Sequence, residues 1–462
     1  MTAYMLWFAN QYNGFRVSTH HFLCCLQEFE SLASLLAIDY QYIEEPSDKV
    51  CVHCDALLNS DTTLIPRQPF ILFTSDAADT QLERLMSRTV LARSLYELWT
   101  NSGDLQQFYD DLRHSPNTQL SQYRSASFRI QVEGYNRKLS TQTKVEKIEN
   151  IAFLPFDGKI DLKSPENSFH LFEYYGNNPN EIPDKPFQIL FGRHIGDSNR
   201  KNVSNFSLKD RKFIANTSME PMLALLMANI AKVSAADLVL DPFVGSGSLL
   251  VSAAYYGAYV MGTDIDYLLI HGLTKPSRAG VKTRDTDESV LSNLRQYNLQ
   301  NQYIDVVIAD SSQPFWRTSA PTLKLDAIIT DPPYGKRESR ERVGSQRQYK
   351  IPEELVEGHI PSKVEYSLCD IFRDLLDFSA FHLKVGGRLV FWIPFDKSNT
   401  NFDIRSECHP CLRVISMSEQ QLSSYMSRIL ISVEKFKEYT QMSDSCVQRT
   451  HNKFINDSQK YN

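Results

Sequence analysis

Four short apolar runs in the middle of the chain each close on an aspartate, and that recurrence limits the fold more than any other feature. They are Asp237-Leu238-Val239-Leu240-Asp241, Tyr259-Val260-Met261-Gly262-Thr263-Asp264, Asp305-Val306-Val307-Ile308-Ala309-Asp310, and Leu325-Asp326-Ala327-Ile328-Ile329-Thr330 with Asp331 behind it. Near-continuous aliphatic runs of this length suit strands buried on both faces of a parallel sheet. The first leads through Pro242-Phe243-Val244-Gly245-Ser246-Gly247-Ser248 into an apolar helix over 249–256. That is a strand-turn-helix of nucleotide-binding type. It departs from the dinucleotide fingerprint, since Leu250 stands where a third glycine would sit. In open α/β sheets ligands bind beyond the carboxyl ends of the strands, where all four aspartates fall. Any one of them reads equally well as a helix cap or turn residue. Their ordered recurrence is the stronger sign.

The fourth run ends in Asp331-Pro332-Pro333-Tyr334-Gly335, a stiff corner whose residues suit one kind of chemistry. An exocyclic amine on a nucleobase or carboxamide is a poor nucleophile, because its lone pair is delocalised into the adjoining π-system. A carboxylate and a carbonyl that each accept one of its N–H bonds favour a pyramidal nitrogen and free that pair. Asp331 supplies the first acceptor and the Pro332 carbonyl the second. Pro332 and Pro333 fix the backbone and offer no competing N–H. Tyr334 offers a ring face for a flipped base. An isolated tetrapeptide of this type is more often a plain turn. Here it stands beside a glycine turn, where Asp241, Gly245 and Gly247 suit the amino-acid end of S-adenosylmethionine. Asp264 is placed as ribose-binding carboxylates are, in preference to Asp266, and Asp310 can accept from the adenine amino group.

The grammar continues with an amphipathic helix over 366–383, a buried strand Arg388-Leu389-Val390-Phe391-Trp392-Ile393, and a closing antiparallel pair over 412–417 and 429–436. Residues 205–436 therefore read as one doubly wound α/β domain, followed by a polar tail over 437–462. Upstream the pattern is more broken. We read a helix over 21–36, a strand over 70–73, a helix with an apolar stripe over 86–99, a half-exposed strand over 127–132 and a helix over 141–151, that is, α+β modules over 1–75 and 76–190. Arg193, Arg200, Lys201, Lys209, Arg211 and Lys212 crowd the link over 191–204 and its sequel. They read as a solvated linker or as a surface that tracks a phosphate backbone.

The 462 residues are 42% hydrophobic with a formal net charge of −6, which argues against indiscriminate nucleic-acid binding but permits local basic patches. No run is long enough to span a membrane and the start lacks a signal-peptide pattern, so a cytoplasmic enzyme is expected. Among eight cysteines, Cys51/Cys54 and Cys408/Cys411 form C-x-x-C pairs. They fall in separate domains, and we read free thiols in a reducing compartment rather than a shared metal site.

These motifs together resemble the catalytic subunits of the eukaryotic tRNA (guanine(10)-N2)-methyltransferases, along nearly the whole chain to about residue 436. The resemblance rests on Asn216-Thr217-Ser218-Met219-Glu220-Pro221, Met227-Ala228-Asn229, Asp241 to Gly247, Asp264-Ile265-Asp266-Tyr267, His271-Gly272-Leu273, Asn293-Leu294-Arg295-Gln296-Tyr297, and Asp331 to Gly335 with Arg337-Glu338. It implies a ferredoxin-like domain, a THUMP RNA-binding domain and a Rossmann-like S-adenosylmethionine-dependent methyltransferase. It also implies a tRNA substrate methylated on guanosine-10 and a small zinc-binding activator subunit. By position, Thr217, Ser218, Pro221 and Phe243 would lie near the cofactor. Ser246 and Ser248 depart modestly from the family, which often has threonine and glycine there.

The basic segment Lys336-Arg337-Glu338-Ser339-Arg340-Glu341-Arg342, continuing to Arg347 and Lys350, reads as a mobile loop that closes over tRNA or as a disordered insertion. Rival functions are a DNA adenine or cytosine amino methyltransferase, a protein glutamine methyltransferase, and a non-catalytic RNA-binding subunit. The catalytic corner is common to the first two, and the intact Asp331 and glycine turn weigh against the third.

Overall fold

The computed structural model describes residues 1–9, 11–12, 15–16, 19–44, 68–114, 120–313, 323–335, 338–345, 361–396, 408–423 and 426–439. They form two compact units, one within Met1–Asn199 and the other from Arg200 onward. Among these residues no helix is long and apolar enough to cross a membrane.

The first unit contains β1 (Thr2–Phe8), the short pair β2 (Gln11–Tyr12) and β3 (Phe15–Arg16), then β4 (Tyr40–Tyr42), β5 (Phe70–Ser75), β6 (Ala92–Ser102), β7 (Phe128–Tyr135), β8 (Asn167–Tyr174) and β9 (Gln188–Asp197). Seven of these strands make one sheet in the order β4-β5-β1-β6-β9-β8-β7, so strands from both expected N-terminal modules share it. Glu28, on the helix Thr19–Leu35, is buried and accepts from the Thr89 hydroxyl at 2.5 Å and from the Val90 and Leu91 amides at 2.9 Å. This satisfied carboxylate ties that helix to the entry of β6. The helix expected over 86–99 is a correction: a helix ends at Met86, and Ala92 onward is β6. Lying between β1 and β9, β6 is buried on both faces at Leu95, Tyr96 and Leu98. A strand without polar alternation is easily mistaken for a helix.

In the second unit, β10 (Leu238–Asp241), β11 (Tyr259–Asp264), β12 (Tyr303–Ile308), β13 (Leu325–Thr330), β16 (Leu383–Asp396), β17 (Leu412–Gln421) and β18 (Met426–Lys435) form a sheet in the order β12-β11-β10-β13-β16-β18-β17. The first five are parallel, and β18 runs antiparallel between β16 and β17. This is the expected Rossmann-like architecture, with the closing antiparallel pair in place. A small pair, β14 (Glu341–Val343) with β15 (Lys363–Glu365), stands outside it. Part of the segment expected to be a mobile loop is therefore paired strand. Lys336, Arg337, Arg347 and Lys350 lie outside the described residues, as do Cys51 and Cys54.

The helices flanking this sheet start where their sequences say they should. Pro221 occupies the first turn of Pro221–Ile230. Ser367 caps Leu368–His382 by accepting from the Asp370 amide at 3.1 Å. The packed core includes Leu240, Ile328, Leu376, Leu389 and Phe391.

Arg211, expected on an RNA-facing surface, is only 1% exposed. Its guanidinium donates to the Ser248 hydroxyl at 2.9 Å and the Phe206 carbonyl at 3.0 Å, clamping the start of this unit to the glycine-turn helix. Arg211→Ala should therefore lower stability by about 2–4 kcal/mol, by leaving buried acceptors unpaired. Urea unfolding followed by tryptophan fluorescence checks this, and unchanged unfolding with weakened RNA binding would contradict it.

Candidate active site

Parallel pairing of β10 with β13 brings the glycine turn and the diproline corner together. Leu240 lies opposite Ile328, and at the strand ends the Thr330 hydroxyl donates to Asp241 Oδ1 at 2.6 Å. The same oxygen accepts from the Phe243 amide at 3.1 Å. Asp241 is buried, which pushes its carboxyl up to about 7 despite these two donors.

Gly245 and Gly247 both adopt left-handed backbone, at φ +50° and +77°. A side chain at Gly247 would strike Val290 at 2.5 Å, whereas one at Gly245 would meet nothing within 4 Å. The first glycine thus borders open space while the second permits helix packing. The Gly245 amide donates to Asp264 Oδ2 at 2.9 Å, and the Asp266 amide donates to Oδ1 at the same distance. Both oxygens keep lone pairs for a further donor. Asp266 caps the short helix behind it by accepting from Leu269 at 3.1 Å, which leaves Asp264 as the carboxylate facing the turn. Burial raises the Asp264 carboxyl above its usual range.

Asp310 lies two residues beyond the end of β12 and accepts from the Ser312 amide at 2.9 Å and the Val343 amide at 2.7 Å. The β14–β15 pair is thereby pinned to the strand-end rim. On the other side, the Thr217 hydroxyl donates to Glu338. Ser218 Oγ lies 2.5 Å from Ser246 Oγ and accepts from the Ala215 amide at 2.8 Å. The run from Thr217 to Pro221 is thus fastened against the glycine turn. Phe243 and Pro242 line a small cavity with Ser311 and Tyr366.

At the corner, the Tyr334 hydroxyl donates to Asp331 Oδ1, and Arg428 Nη1 lies 3.6 Å from Oδ2. Burial raises the Asp331 carboxyl, while Arg428 and then Tyr334 oppose that rise. Neither Arg428 nor Thr330 was singled out from the sequence. Both act across strands, and only the register of the folded sheet reveals them.

Of the described basic residues expected to meet RNA, some already have acidic partners and others are exposed. Arg193 bridges Asp79 and Glu97, each at 2.7 Å, and packs over the Tyr123 ring, so its charge is already matched. Lys212 pairs with Asp287. Lys201 and Lys209 are exposed and Arg200 is half-buried. No group of three or more His, Cys, Asp or Glu residues among those described is disposed to hold a metal ion. Cys411 is buried, with His409 Nδ1 3.0 Å from its sulfur.

Residues 62–200 match the Tmrp11 THUMP N-terminal domain, and residues 209–355 match the RMKL-like methyltransferase domain. Curated relatives cover most of the chain. The tRNA (guanine(10)-N(2))-methyltransferase TRMT11 of Gallus gallus is 44% identical over 389 residues, 84% of this chain and 83% of its own. The Homo sapiens protein of that name is 42% identical over 381 residues, 81% of each chain. The one from Dictyostelium discoideum is 32% identical over 459 residues, 95% of this chain and 83% of its own. With the glycine turn, the strand-end acids and the diproline corner in one sheet, the chain belongs to the tRNA (guanine(10)-N(2))-methyltransferase TRMT11 family.

Proposed function

We propose that this protein transfers a methyl group from S-adenosylmethionine to the exocyclic 2-amino group of guanosine-10 in tRNA. The observation that carries the reading is the corner Asp331 to Tyr334 held against the glycine turn through the Thr330–Asp241 bond. Membership of the family supports the choice of substrate.

The chain's own groups suit the cofactor. Open space at Gly245 admits close backbone approach, Asp264 retains acceptor capacity for ribose hydroxyls, and Asp241 closes the floor beneath the turn. Thr217, Ser218, Pro221, Phe243 and Gly247 complete the wall. Asp310 is the candidate for the adenine amino group, with its remaining lone pairs beside the Val343 contact. When bound, S-adenosylmethionine supplies an electrophilic methyl group on a sulfonium.

Asp331 and the Pro332 carbonyl accept the two N–H bonds of the target amine. Pro332 and Pro333 hold those acceptors still. The Tyr334 hydroxyl is anchored on Asp331, which fixes its ring as the face on which the flipped guanine stacks. Orientation and placed charge do this work, without a covalent intermediate on the protein. The THUMP-bearing unit holds the tRNA, with the exposed Lys201 and Lys209 contributing at the start of the catalytic unit.

We further propose a complex with a small zinc-binding activator, docked along β12, the outermost strand of the sheet among the described residues. Ile304, Val307 and Ile308 on that edge strand are 48%, 42% and 45% exposed. An apolar strand edge in solution is a liability unless a partner strand covers it.

Two outcomes test these readings. With activator, unmodified tRNA and labelled cofactor, Asp331→Asn should reduce turnover by about 10²–10⁴-fold while the cofactor Kd stays within about twofold of wild type. Near-normal turnover, or a methyl mapped to another nucleotide, would sink the reading. Ile304→Lys with Ile308→Lys should weaken activator binding by at least about tenfold without loss of helical signal. A complex of undiminished affinity in titration calorimetry would remove β12 as the docking edge.

A further inference from the structure

Arg428 is the only cation among the described residues within ion-pair distance of Asp331, and its placement follows from topology. Because β18 runs against the parallel strands, its first residues lie at the rim where those strands end. There Arg428 pairs in register with Pro394 of β16 and Gln420 of β17. Its guanidinium is held on three sides. The Trp392 ring lies 4.1 Å beneath it, Gln420 Oε1 accepts from Nε at 2.7 Å, and Asp331 Oδ2 faces Nη1 at 3.6 Å. Only 13% of the side chain is exposed. A cation fixed by a ring face and an amide cannot swing away to solvent.

We propose that Arg428 is a positioning residue for methyl transfer, holding the Asp331 carboxylate ionised and aimed at the target amine. The inference rests on the role of Asp331 proposed above. Among the described residues, the other acids near Asp331 push the opposite way, and Tyr334 is the one further group that acts with Arg428. Asp241 at the end of β10 and Glu338 on the segment after the corner are acids that disfavour a further charge beside them when ionised, whereas the hydrogen bond donated by Tyr334 favours the ionised Asp331. A protonated Asp331 has one fewer acceptor and offers a donor where the amine needs its own hydrogen accepted. Burial alone moves the group in that direction, and Arg428 opposes it.

The test is the pH profile of kcat at saturating cofactor and tRNA, for wild type, Arg428→Met, Arg428→Lys and Asp331→Asn. Arg428→Met should lower kcat at pH 7 by about tenfold or more and move the acidic limb upward by about 1–3 pH units, with cofactor Kd unchanged. Arg428→Lys, which keeps the charge, should recover most of that limb. A wild-type profile in Arg428→Met, or a loss of kcat with an unmoved limb, overturns the proposal. Should Arg428→Met fail to fold, Gln420→Ala decides. Freeing one anchor should produce a smaller upward shift, and an unmoved limb rejects the role. If wild type itself leaves guanosine-10 unmethylated, or Asp331→Asn turns over normally, the underlying reading fails instead.

Discussion

The bond from the Thr330 hydroxyl to the Asp241 carboxylate joins the ends of two central parallel strands, and the rest of the site hangs from it. It lies in a buried rim where the chain turns toward the glycines on one strand and the prolines on the other. Both corners are stiff for different reasons. Left-handed glycines set the first, and proline rings set the second. On the proposed function, this rigid link between two rigid corners holds an acceptor beside the space for an electrophile, and such placement is where most of a methyl transferase's advantage over solution lies.

The same rim collects like charge. Asp241, Asp264, Asp310 and Asp331 all stand at or just past strand ends, and burial raises three of them above the ordinary carboxylate range. Backbone amides of Phe243, Gly245, Asp266, Ser312 and Val343 donate to the first three of these acids. Each of the first three acids accepts from the amide two residues further on, and Asp264 and Asp310 accept a second amide from a distant segment. Asp331 differs, because its partners are side chains: a phenol three residues away that donates a hydrogen bond and a guanidinium on an antiparallel strand that forms an ion pair. The group proposed to do chemistry is the one not saturated by its own backbone, as a working acceptor must be.

Much of this was legible from residues alone because parallel strands buried on both faces leave an unmistakable apolar run, and acids at their ends have one rim to share. The glycine turn, the diproline corner and the closing antiparallel pair followed from local rules. What stayed hidden was nonlocal. In sequence Arg211 is one more basic residue in a polar stretch, and only the fold surrounds its guanidinium with Ser248 and the Phe206 carbonyl. Arg193 reads as a free charge in sequence, and the fold closes Asp79 and Glu97 on it. The start of β6 reads as a helix because a central strand shows no alternation. Arg428 carried no signal at all, since its meeting with Asp331 spans β16 and depends on the register of β18.

The account stands or falls on where the target nitrogen sits. A structure of the protein bound to tRNA and a non-reactive analogue of the cofactor measures that directly. The account predicts the guanosine-10 amino nitrogen at about 3 Å from both an Asp331 carboxylate oxygen and the Pro332 carbonyl, with the base against the Tyr334 ring. A bound guanosine whose amino group lies beyond hydrogen-bond reach of that carboxylate, or turned from the glycine turn, would contradict it.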